Sequence, residues 1–192
     1  MSDAGDGITG TGPALALIEL SSIARGHRVA DAMCKRAPVR LMRAEPVSPG
    51  KFLVLVEGDV AAVDESFRVG TDVAADRTVD KLFVPQPHAA LWPALAGGAN
   101  ATEGVESLGV VETTTVAATI LGADAAAKAA KVRITEMQLA RGIGGKAFFT
   151  VTGPLAEVEA AVEAAIGALD AARVHTTEII PAPHADFVAK LR

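Results

Sequence analysis

The segment from Leu15 to Leu95 recurs in looser spelling from Leu108 to Leu191, and this duplication constrains the fold more than any local motif. A fixed period, here roughly ninety residues, reveals the unit of folding and often the symmetry of assembly. With Glu19 set on Glu112, Asp31 falls on Asp124, Lys35 on Lys128, Ala37 on Ala130 and Val39-Arg40 on Val132-Arg133, all at one constant offset. A small insertion then shifts the register. After it Lys51 meets Lys146, Val56 meets Val151, Gly58 meets Gly153, and Pro85-Gln86-Pro87-His88 meets Pro181-Ala182-Pro183-His184. An alanine-rich chain matches itself by chance at alanines, so the Glu, Asp, Lys and Pro-x-Pro-His pairs carry the claim.

Each copy reads as strand, helix, strand, strand, helix, strand. Short apolar runs at Leu15–Glu19 and Leu108–Glu112 open the units. Val29, Met33 and Ala37 then follow at helical spacing, with Asp31 and Lys35 forming an acid-before-base pair; the counterpart runs from Val116 to Ala130. Pro38 ends the first helix by Ala37, because proline disfavours the helical region for the residue before it. Strands are expected at Val39–Glu45 and Val132–Gln138, then tight loops at 46–50 and 141–145, then strands at Phe52–Val56 and Ala147–Val151. Second helices run through Val60, Val63 and Phe67 and through Leu155, Val158 and Val162, with Asp59 placed to cap one start and Pro154 suited to the first turn of the other. Fourth strands, Val79–Val84 and Val174–Ile180, end in Pro-x-Pro-His and a short helical tail. This order predicts an α+β chain of two tandem ferredoxin-like βαββαβ domains, each with a short C-terminal helix. The expected boundaries are a leader at 1–13, domains at 14–96 and 108–192, and a linker at 97–107 rich in Gly and Ala.

Composition narrows the function. Each half is long enough for a modest core, which must come from Val, Leu, Ile and Ala because aromatics are 4% and Tyr is absent. Such small domains gain stability by associating. A net charge of -5 with few aromatics argues against nucleic acid. A single cysteine, Cys34, excludes a disulfide framework and a Cys-rich metal site and fits a reducing compartment, so a cytoplasmic location is expected. Residues 1–12, Gly- and Asp-rich with no basic start, read as a flexible leader and not a signal peptide. No stretch approaches the ~20 apolar residues of a membrane span.

The candidate chemistry is sparse. Gly50-Lys51 and Gly145-Lys146 suggest a phosphate loop, but the position five residues before each glycine holds Glu45 or Ala140 and the residue after each lysine is Phe52 or Ala147, where that motif requires glycine and Ser or Thr. These glycines mark sharp turns or close approach. His88 and His184 stand alone and read as turn or cap residues, and no Ser-His-Asp or Cys-His arrangement is recognisable. Cys34 reads as a buried, inert thiol. The carboxylates of Asp64-Glu65 and Glu157-Glu159 read as solvated helix surface. Lys35 and Lys128 sit near helix ends, where the dipole favours a cation even without a partner.

On these residues the chain resembles the tandem-domain shell proteins of bacterial microcompartments, over nearly everything from Ala14 to Arg192. The likeness rests on Leu17–Gly26, Ala30-Asp31-Ala32 with Lys35, Pro49-Gly50-Lys51-Phe52, Gly142–Lys146 and both Pro-x-Pro-His endings. Within the family it is similar to the unpermuted, trimer-forming branch of propanediol-utilisation type. The resemblance implies a homotrimer whose six similar domains make a pseudohexameric tile, packed edge to edge with other shell proteins, hexamers and pentamers among them. It implies that Ser48, Pro49 and Gly50, with Ile143, Gly144 and Gly145, line a central pore for small polar metabolites, with the charge of Arg141 either at its rim or turned away into a salt bridge. It makes Lys35 and Lys128 contacts at the tile edge. The family often has an arginine inside Pro-x-Pro-His to complete that contact, whereas this chain has Gln86 and Ala182. A propanediol-utilisation relative carries, directly before Pro-Gly-Lys, a cysteine that holds an iron-sulfur cluster on the threefold axis. Ser48 stands there in this chain, so no cluster is expected; no other cofactor is expected, and the missing catalytic constellation argues against enzymatic activity. The competing expectations are a ferredoxin-like trimeric regulatory protein that binds a small effector between subunits, and an enzyme with a site shared between chains.

Overall fold

A computed structural model describes residues 12–97, 104–140 and 142–191. The leader up to residue 11, the middle of the linker and Arg141 lie outside the described residues. The first repeat comprises β1 (Ala14–Leu20), α1 (Ile23–Arg36), β2 (Arg40–Val47), β3 (Lys51–Gly58), α2 (Val60–Ala74), β4 (Thr78–Pro85) and a short α3 (Leu91–Leu95). The second follows as β5 (Ser107–Thr113), α4 (Val116–Ala129), β6 (Arg133–Leu139), β7 (Ala147–Gly153), α5 (Leu155–Gly167), β8 (Val174–Pro181) and α6 (Ala185–Val188). The expected element order holds throughout, and strand ends extend one or two residues past the apolar runs, because ladder pairing continues into the flanking polar residues.

The two sheets have the same strand order, β2-β3-β1-β4 and β6-β7-β5-β8, with antiparallel pairing of β1 to β3 and β4 and of β5 to β7 and β8. Central β1 is buried at every position, which explains why its sequence, Ala-Leu-Ala-Leu-Ile-Glu-Leu, does not alternate. Edge strand β2 instead carries Arg40, Arg43, Glu45 and Pro46, residues that blunt an unpaired edge.

One face of the first sheet, Ala16, Ile18, Phe52 and Val54 among others, packs with Val29 and Met33 of α1 and Val63 of α2. The opposite face, Leu15, Leu17, Leu53, Leu55, Leu82 and Val84, belongs to a larger core shared with α3 and the second repeat. Helix α4 lies against β1 and β4 as well as against its own sheet. Its sequence is apolar nearly all round, as a helix buried on both sides requires.

Two of the N-caps behave as helix-start chemistry predicts. Ser22 accepts from the Arg25 amide and Thr115 from the Ala118 amide, each at 3.3 Å. Asp59 occupies the N-cap of α2 but makes no side-chain cap bond. Among the described residues no helix is long and apolar enough to cross a membrane.

Candidate functional site

Two turns linking β2 to β3 and β6 to β7 meet within one chain. The Ser48 amide donates to Ala140 O at 3.2 Å, and Lys51 Nζ reaches Gly145 O at 3.4 Å. Gly145 shows why glycine is needed: its φ is +85°, and a Cβ there would lie 2.6 Å from Pro49 Cδ. Pro49, Gly50 and Gly144 are exposed at the tip, Ser48 and Ile143 half-buried, and Gly145 buried beneath. A concavity of about 610 Å³ runs along residues 45–50 and reaches Gly142. The six residues singled out in the sequence therefore form one neighbourhood. It is built from backbone amides, a hydroxyl and glycines.

Behind each turn stands a lysine-carboxylate pair that the alignment of the repeats had matched without assigning a role. Glu19 is fully buried; one oxygen accepts from Lys51 Nζ at 2.7 Å and the other from the Val116 amide at 2.9 Å, the first turn of α4. It thereby ties β1 and β3 of the first repeat to the start of a helix in the second, where a carboxylate also complements the dipole. Glu112 repeats the pairing with Lys146 at 2.6 Å, and His175 Nε2 lies 3.0 Å from the same ammonium. Among the described residues no helix start covers Glu112, and its side chain is 28% exposed.

Lys35 and Lys128 each pair with the aspartate four residues earlier, at 2.7 and 2.6 Å. The aspartates differ. Asp31 is exposed, whereas buried Asp124 also accepts from the His88 amide at 2.7 Å, joining α4 to the first Pro-x-Pro-His turn. His88 and His184 act as turn and cap residues, their Nδ1 atoms accepting from Ala90 and Asp186 amides at 3.2 Å. Gln86 and Ala182 occupy equivalent left-handed positions, with φ of 53° and 45°.

Two readings need correction. Cys34 is exposed, not buried, because it lies on the outer face of α1. Partial burial pushes its thiol pKa up and the carboxylate of Asp31 adds to the shift, so the thiol is not activated. Glu157 is not merely solvated surface: it accepts from the Lys131 amide at 2.6 Å and ties α5 to the turn after α4.

The donor set at the turns does not suit an iron-sulfur cluster. Ser48 offers a hard hydroxyl to a soft centre, and the thiol of Cys34 belongs to α1, a different element.

The comparisons with known proteins agree with this geometry. The family model described as the BMC domain matches twice, over residues 14–87 and 107–183. The chain is 40% identical over 172 residues to the bacterial microcompartment shell protein PduT of Citrobacter freundii, covering 89% of this chain and 93% of that protein. A carboxysome shell protein of Prochlorococcus marinus is 40% identical over 91 residues, 45% of this chain and 87% of that protein, as expected when one relative carries a single copy of the repeat. A crystal structure of a microcompartment protein from Desulfitobacterium hafniense superposes with a TM-score of 0.81 at 39% identity, covering 92% of this chain and 98% of that one. A fused permuted hexameric shell protein shares the fold, with a TM-score of 0.61 at 21% identity, covering 81% of this chain and 84% of that one.

Proposed function

The chain belongs to the BMC-domain family of bacterial microcompartment shell proteins, with two such domains in tandem, and from that premise we propose that three copies close head to tail into a pseudohexameric tile of the shell. One observation carries this reading: surfaces buried where the two repeats meet inside the chain are exposed at the corresponding places outside it. Val116, at the start of α4, is 0% exposed, and its counterpart Ile23 on α1 is 43% exposed. Leu91 of α3 is 0% exposed, and its counterpart Phe187 of α6 is 43% exposed. The chain thus contains one complete junction and two complementary halves of another. A head-to-tail interface repeated around an axis closes a ring without leaving an unpaired face.

In such a ring the paired turns recur around the axis. Ser48, Pro49, Gly50, Ile143, Gly144 and Gly145 line the opening, which presents amides and a hydroxyl to small polar metabolites and makes or breaks no bond. Lys35 and Lys128 face neighbouring tiles, where Gln86 and Ala182 supply neither charge nor a guanidinium fork. Other shell proteins are the partners at those edges.

Sedimentation at micromolar concentration tests the assembly: a species of three chains is expected, and single chains at every concentration and salt would refute it. Ser48→Cys tests the turns. If three such side chains converge, the variant trimer acquires an iron-sulfur chromophore on anaerobic reconstitution; a colourless trimer would move the turns away from the axis.

A further inference from the structure

The junction inside the chain also shows what the seam between chains must contain, and the two differ in chemistry. Inside the chain a cavity of about 280 Å³ lies where β4 crosses the start of α4; Leu82 lines it from one side and Leu121 from the other, with Arg173 at the edge. Register places Leu82 opposite Leu17 and Glu178 opposite Val110, so Glu178 is the counterpart of Leu82. Counting along the equal-length helices α1 and α4 makes Arg28 the counterpart of Leu121. The counterpart cavity on the first repeat lacks a covering strand: it measures about 580 Å³ and is lined by Ser21, Ser22, Ala24, Arg25, Arg28 and Arg77.

On the trimer reading of the previous subsection, we propose that this arginine-lined hollow is the receptor for β8 of the next copy, with the Glu178 carboxylate seated on Arg28. Both residues are exposed in the single chain, and neither side chain has a hydrogen-bond or ion-pair partner among the described residues. Arg25 is committed to Val73 O at 2.7 Å and Arg77 lies 3.4 Å from Asp76, which leaves Arg28 as the uncommitted guanidinium in the hollow. The permanent junction thus sets an apolar pair beside the Asp80–Arg173 ion pair at 3.4 Å, whereas at the seam, where Thr176 and Arg77 hold those two places, the opposed charges are those of Glu178 and Arg28. Charge across such a seam fixes register and speeds encounter more than it adds affinity. Two polar links of the inner junction have their counterparts at the same seam. Glu112 is placed for the Ile23 amide of the next copy, as Glu19 is for Val116, and Asp31 for the His184 amide, as Asp124 is for His88.

Charge reversal tests the pairing in the full chain, with trimer dissociation followed by mass photometry and sedimentation. Glu178→Arg alone and Arg28→Glu alone are each expected to raise the midpoint concentration for dissociation about tenfold or more, since like charges then face each other across the seam. The double variant is expected to recover most of the loss, and raising salt is expected to weaken wild-type assembly. A wild-type trimer whose midpoint is unmoved by either reversal, or single losses that the double variant fails to recover, would overturn the pairing while leaving the trimer intact. A wild-type protein that never forms trimers would overturn the trimer reading itself. Circular dichroism and the unfolding midpoint of each variant separate a seam effect from misfolding, because both positions are surface sites in the isolated chain.

Discussion

Helices α1 and α4 have the same length, the same place in the repeat and the same type of N-cap, yet they bury different amounts. Helix α4 hides residues on every side, Val116, Ile120, Ala123 and Ala127 among them, whereas α1 buries only Gly26, Val29, Ala30 and Met33 along one stripe. A duplicated fold unit has thus been given two surface chemistries. The helix that meets a neighbour in its own chain does so at high effective concentration and is solvated mainly near its C-terminal end, so it can be apolar nearly all round. The helix that waits for another molecule must stay soluble until it arrives, and it carries His27, Arg28, Asp31 and Lys35.

The largest break in this comparison is expected at the buried carboxylate. Glu19→Ala leaves Lys51 half-stranded and the Val116 amide unpaired, and should cost about 3–5 kcal/mol of stability by chemical denaturation, as for one partner removed from a buried ion pair. The same change at Glu112, already partly exposed, should cost about 1 kcal/mol or less in the isolated chain and appear instead as weaker assembly. Equal losses at the two sites would show that the inner junction is not special.

Next in size are the exposed apolar contacts. Ile23→Asp and Phe187→Ala should each remove most of the trimer seen by sedimentation while changing monomer unfolding by less than about 0.5 kcal/mol, the usual range for surface positions. Val116→Asp, the inner counterpart of Ile23, should instead disrupt the fold itself. A smaller effect is expected at the turns: Gly145→Ala forces a Cβ against Pro49 at positive φ and should cost about 1–3 kcal/mol, read as a lower thermal midpoint.

The smallest concerns Cys34. Its thiol is shifted up by burial first and by Asp31 second, so deprotonation and alkylation should set in at higher pH than for a free cysteine, and Asp31→Asn should bring the profile down by the smaller part of that shift. A profile matching free cysteine would put the thiol fully in water.

Much of this was legible in the residues. The matched Glu, Asp and Lys pairs expose the repeat, periodicity and the repeat together place the strands and the long helices, and the misfit around Gly-Lys rules out a phosphate loop before any coordinates. The roles of Glu19 and Asp124 were not legible, although both were already aligned with their counterparts. Each acts on an amide of the other repeat, and no periodicity within a repeat reports which element will arrive from outside. Cys34 misled for a related reason: a thiol between Met33 and Lys35 on a helix is buried only if its face is, and the face was turned outward.

The sequence by itself determined that there are two copies of one α+β unit, because helical and strand periods are local and a repeat needs only counting. Tertiary structure alone decided that the copies meet through the back of the first sheet and the side of α4 that faces β1 and β4. It also decided that matched residues lead different lives on either side of that junction, because burial is a property of what covers a surface and not of the residues that make it.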